Sequence, residues 1–154
     1  EYLHLLRLTN PGTITHIETQ KDVEDESKER FLYMFLAFGA SIAGFKHLRR
    51  ILVVDGTHLK AKYKGVLLTA SGQDANFQVN PLGFAIVDSE NDESWTWFFT
   101  KLERIIADSK TLTILSDRHS SILVVVKRVF RKQIMGLLLF TFVGMSKLST
   151  RTKL

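Results

Sequence analysis

The sequence contains no cysteine. Disulfides and thiolate metal sites are therefore excluded within it, and the usage suits a reducing compartment. It has only two prolines, Pro11 and Pro81, and both stand beside turn-like residues. No apolar run reaches about 18 residues, so no membrane span is expected. The N-terminus has no basic-then-apolar leader pattern. It opens on Glu1 without a Met, as a piece of a longer chain would. Acid is missing from the C-terminal end, because all 16 Asp and Glu residues lie at or before Asp117. Eight basic residues follow that point: Arg118, Lys127, Arg128, Arg131, Lys132, Lys147, Arg151 and Lys153. Residues 1–117 carry 13 − 16 = −3 and residues 118–154 carry +8, within a net +5. An acid-free basic end is compatible with a polyanionic partner and equally with a solvated surface.

What is present is a globular composition. Apolar residues make up 45% of 154 residues, enough for one domain with its own core. The centre of the pattern is ILVVDGTHLK, Ile51 to Lys60. Four apolar residues run into Asp55, as a strand buried on both faces would. A carboxylate at the end of such a strand needs a cation, a metal or hydrogen-bond donors if it is buried. Asp55 is thus a candidate metal ligand or catalytic acid, or else a surface Asp opening a turn with Gly56.

Along the chain, Tyr2 to Leu8 has a helical apolar face, stopped by Asn10-Pro11-Gly12. Thr13 to Thr19 is a short strand candidate, and the polar run Gln20 to Arg30 reads as an exposed loop. Phe31 to Phe38 carries four aromatic rings and reads as a strand or other core segment. Gly39 to Phe45 reads as a turn or one short helix, and Lys46 to Arg50 as a basic patch. Beyond Asp55, Lys60 to Lys64 is a turn, Val66 to Ser71 a second strand and Phe84 to Val87 a third. Their short links predict an antiparallel meander. The acidic turn Asp88 to Ser94 leads into a helix over Ser94 to Ala107. Its face holds Trp95, Phe98, Phe99, Leu102, Ile105 and Ile106, and its two tryptophans read as packing residues. Leu112 to Leu115 is a fourth strand ending at Asp117, a helix follows Ser120 or Ser121, and Ile134 to Val143 is a fifth strand.

The expected fold class is α/β: a mixed five-stranded sheet of three antiparallel strands, then helix, strand, helix, strand. A right-handed crossover places the fourth strand beside the first. Asp55 and Asp117 then sit on neighbouring strands about 4.8 Å apart. Two carboxylates so close repel unless a divalent cation lies between them. The expected cation is Mg²⁺ or Mn²⁺, which with such a pair and usually a third acid supports phosphoryl transfer. His58 and His119 could orient a phosphate beside them or serve as structural hydrogen-bonders. Asp74 could approach as an extra acid or simply build the turn Gly72 to Asn76. Asp88, Glu90, Asp92 and Glu93 read as caps and solvated charge.

This topology resembles the ribonuclease H-like fold. The segments GFKHLRRILVVDGTH, VDGTHLKAKYKGVLLTASGQDANFQVNPLGFAIVDSENDESWTWFF and LTILSDRHSSI resemble the plant Mutator-like element transposases, from about Glu1 to about Phe130. The resemblance implies a nuclear protein with an Asp-Asp-Glu core that cuts and joins DNA at transposon ends with a divalent metal. Asp55 falls on its first catalytic acid and Asp117, in SDRH, on its second. It implies an N-terminal appendage at 1–45, an incomplete catalytic domain at 46–143 and a basic tail at 144–154. Oligomeric state is left open, a homo-oligomer among the options.

Two departures stand out. No Asp or Glu follows Asp117, so the family's third acid is absent from these residues. A Cys and a His of the family fall on Leu138 and Thr141. The chain alone is accordingly expected to be inactive. The rival expectation is a non-catalytic, transposase-derived DNA-associated or transcription-regulatory protein.

Overall fold

Strand β3 (Ile51–Leu59) shows how the sheet is built. Leu52 and Val54 are buried, while Val53 and Asp55 are exposed. This is the period of two of a strand with one face covered. Its eight-residue antiparallel register with β4 (Gly65–Gln73) runs from Leu52 opposite Gly72 to Leu59 opposite Gly65. Asp55 is therefore in mid-strand, not at its end, and Gly56, Thr57 and His58 continue the ladder. The expectation of a strand buried on both faces fails for the same reason, since Val53 is 37% exposed.

The computed structural model describes residues 1–23, 25, 27–60, 64–106, 112–116 and 120–130. The expected strand at Ile134 to Val143, the tail, Asp117, His119 and the middle of the Lys60 to Lys64 turn lie outside those residues.

The described residues form an open six-stranded mixed sheet in the order β1-β2-β5-β4-β3-β6. Its remaining members are β1 (Ile14–Lys21), β2 (Glu29–Ala37), β5 (Val79–Val87) and β6 (Thr113–Ser116). The meander β3-β4-β5 is antiparallel, as its short links predict. β6 lies parallel to β3, also as expected. The strand count differs from five because both N-terminal segments join the same sheet, β2 pairing with β5 from Met34–Ile86 to Leu36–Phe84. The expected loop from Gln20 to Arg30 is shorter than predicted. Thr19–Phe31, Gln20–Arg30 and Lys21–Glu29 are cross-strand pairs that carry the β1–β2 hairpin into polar sequence.

Helices α3 (Asp92–Ile106) and α4 (Ser120–Val129) cover one face. Buried there are Tyr33, Phe35, Leu52, Val54, Leu68, Ala85 and Val87 from the strands, and Trp95, Phe98, Phe99 and Leu102 from α3. The rings of Phe35 and Phe98 lie 5.9 Å apart, Trp95 and Phe99 stack at 5.5 Å, and Phe99 meets Phe130 edge-on at 5.8 Å. Helix α2 (Gly39–Phe45) buries Phe45 beside Gly72. Helix α1 (Tyr2–Thr9) buries no residue. The opposite face of the sheet carries Leu32, Met34, Leu36, Leu67, Phe84 and Ile86, all only half-buried. Asp55 is on this open face.

Candidate active site at Asp55

Asp55 pairs with Thr69 of β4, and both side chains rise from the open face. The Thr57 hydroxyl, two residues on, donates to Asp55 Oδ2 at 3.5 Å. The Thr69 hydroxyl donates to the Asp55 main-chain oxygen at 3.4 Å. The carboxylate is exposed, so the burial cost that prompted interest in it is not incurred.

The parallel register of β3 and β6 ends with Val54 opposite Ser116. Asp55 and Asp117 are each the next residue in the sequence after that pair. Among the described residues no group of three or more His, Asp or Glu side chains could hold a metal ion. Asp117 is not one of those residues. The donors Asp55 does offer, a carboxylate flanked by hydroxyls, are of the hard oxygen type that Mg²⁺ and Mn²⁺ prefer.

The structure separates His58 and Asp74 from Asp55. His58, three residues along the strand, belongs to the opposite face. It lines a cleft of about 580 Å³ together with Lys60, Lys64, Asp88 and Glu90. Asp74 lies beyond the far end of β4, about 17 Å from Thr69 at the usual rise per residue. Its Oδ1 accepts from the main-chain N–H of Asn76 and of Gln78, each at 2.8 Å, which is the turn role.

Glu90 does more than sequence reasoning assigned it. Its Oε1 accepts from Trp95 Nε1 at 3.3 Å, and the carboxylate rests on β3 at Gly56. A Cβ at Gly56 would come within 2.9 Å of that oxygen, so a side chain there would displace Glu90. Glu90 thus ties the β5–α3 turn to the strand that carries Asp55. The only sequence signal was the Gly directly after the acid, which can mark a close approach as well as a turn.

An open mixed α/β sheet with a carboxylate on the strand that a parallel neighbour joins is a frame on which many chemistries are built. A family model described as the MULE transposase domain matches residues 51–148, and the chain belongs to that family. The match begins at the first residue of β3 and includes Asp55 and Asp117. A transposase domain implies that the intact protein acts on DNA. No curated protein matches the chain. Among the described residues no helix is long and apolar enough to cross a membrane.

Proposed function

We propose that the chain is part of the catalytic core of a Mutator-like DNA transposase of ribonuclease H-like fold, nuclear and of plant type. In the intact protein it serves metal-dependent cleavage and transfer of DNA strands at transposon ends. The observation that carries this reading is the β3–β6 register, which ends one residue before Asp55 on one strand and one residue before Asp117 on the other. Asp55 and Asp117 would hold Mg²⁺ or Mn²⁺, which when bound supplies Lewis-acid charge for phosphoryl transfer. Asp55 contributes a negative oxygen donor from a rigid strand, and Thr57 restrains its carboxylate by donating to it. Among the described residues no helix covers the face on which Asp55 is exposed, which suits an approaching DNA strand.

A second reading has its own support. No Asp or Glu follows Asp117 in this sequence, so the set of three acids is incomplete within it. A non-catalytic, DNA-associated or regulatory role would need no third acid.

Melting curves with and without Mn²⁺, for wild type and Asp55→Asn, test the metal site. A ligand that binds only the native state stabilises by RT ln(1 + [L]/Kd), so excess Mn²⁺ should raise the melting temperature of wild type. Asp55→Asn should lose most of the rise. A plasmid-nicking assay beside it should show no cleavage by this chain. Metal-dependent nicking abolished by Asp55→Asn would overturn the inactivity, and the absence of any Mn²⁺-dependent shift would remove the metal site.

A further inference from the structure

The β4–β5 hairpin loop contains an uncommon backbone. Phe77 has φ +65°, and no other non-glycine among the described residues has a positive φ. A bulky residue in this region is strained, and in a hairpin loop the place is normally taken by glycine. The ring gains no burial in return, since Phe77 is 66% exposed. Strain of this kind persists where its surroundings enforce it, and it gathers at sites of function.

Here the surroundings are well built. Phe77 N–H donates to the Asp74 main-chain oxygen at 3.2 Å, and Asp74 N–H to the Gln78 oxygen at 3.1 Å. The Asp74 carboxylate holds the N–H groups of Asn76 and Gln78. Arg49 lies over the Phe77 ring, its guanidinium carbon 4.3 Å from the centroid, and its Nη2 donates to the Ala75 oxygen at 3.0 Å. Its main-chain N–H donates to the Gln73 oxygen at 2.9 Å. The loop therefore presents a fixed aromatic ring backed on one side by a cation.

The segment that meets the loop is basic. Lys46, Arg49 and Arg50 are exposed, and residues 31–54 and 75–87 contain no Asp or Glu. The nearest carboxylate in the sequence, Asp74, is engaged with the loop's own N–H groups. An exposed aromatic ring within a basic patch is the chemistry that stacks an unpaired nucleobase and neutralises its flanking phosphates.

We propose that Phe77, held by Arg49 and the Asp74 turn, is a stacking platform for an unpaired base of DNA, with Lys46 and Arg50 meeting the backbone. This rests on the reading that the intact protein acts on DNA, and it adds a contact at the end of the sheet remote from Asp55. Along β4 the platform lies about 17 Å or more from Asp55, the length of about five base steps.

The test is binding of a fluorescein-labelled single-stranded oligodeoxynucleotide to the 154-residue chain in EDTA, where no metal site operates. Phe77→Gly keeps the loop conformation, because glycine adopts the positive φ without strain. It should melt no lower than wild type yet bind about 5- to 150-fold more weakly, the range for loss of one base stack. Phe77→Tyr should bind as wild type. Phe77→Trp should show tryptophan quenching on DNA addition beyond that of wild type, whose Trp95 is fully buried and whose Trp97 is half-buried against the core. Phe77→Gly binding as tightly as wild type would overturn the platform, as would a Phe77→Trp chain that binds without added quenching. Wild type failing to bind the strand in EDTA would overturn it too, while the Mn²⁺ melting test on Asp55 would still stand or fall by itself.

Discussion

The carboxylates of Asp55 and Glu90 approach the same strand from its two faces. Glu90 rests on Gly56 and takes the Trp95 N–H, whereas Asp55 faces open solvent beside Thr57. The sequence marked Asp55 as distinctive but could not say which way it pointed. With Ile51 to Val54 all apolar, no alternation is visible to distinguish the two faces. His58 was misplaced beside the acid for the same reason, since three residues along a strand reverse the side chain. A further residue, His16 on β1, carries a pH response. Its pKa lies below the ordinary 6.5, first because burial disfavours the charged ring and then because Lys101 and Arg104 repel it. The unfolded chain then binds a proton more readily than the folded one between the two values. Stability from this group is present above about pH 6.5 and is lost as pH falls through the folded value. Urea midpoints measured from pH 7.5 down to 5 should show a shallower decline in His16→Gln than in wild type. Parallel declines would mean that His16 contributes nothing to it.

At the level of elements, α3 was the most readable. Its apolar residues recur at intervals of three, four and seven, and Trp95, Phe98, Phe99, Leu102 and Ile106 are all buried. Its start lies two residues earlier than predicted because Asn91 is the cap. Asn91 Oδ1 accepts from Ser94 N–H at 2.9 Å, and Ser94 Oγ accepts from Asn91 N–H at 3.1 Å. The β1–β2 hairpin was the least readable, since its outer pairs are polar and its anchorage is long-range. Glu18 accepts from Trp97 Nε1 and pairs with Lys101 at 3.7 Å, contacts that no local pattern announces. Phe99 tests the covered face, because its ring touches Trp95, Phe98 and Phe130 and is fully buried. Phe99→Ala should cost about 3–5 kcal/mol in denaturant unfolding. A change within about 0.5 kcal/mol would show that α3 does not pack as described.

For the molecule as a whole, the order of elements from β3 to α4 was legible, and the extent of the sheet was not. Aromatic density in Phe31 to Phe38 signalled core without saying whose core it was. The pairing of β2 with β5 answers that, and it brings Tyr33, Phe35 and Ala37 into the cluster that α3 covers. Deleting residues 1–37 should therefore uncover the edge of β5 and the rings of Trp97 and Phe98. The expected result is loss of a cooperative melting transition, followed by near-ultraviolet circular dichroism. A shortened chain that melts like the full one would show the first two strands to be dispensable.

The parallel seam between β3 and β6 has a further consequence, for the order in which the chain comes together. Its first partners, Ile51 and Thr113, are 62 residues apart, whereas the β3–β4 ladder closes at Leu59 and Gly65. Loop-closure entropy falls hardest on the distant pair, so the hairpins form early and β6 docks late. Among the described residues, β6 has only four residues and is the strand with the fewest ladder pairs. In sequence, directly after its last pair, Val54 and Ser116, come Asp55 and Asp117. A cation shared between them would act as a latch on the folding of the domain as well as on its chemistry.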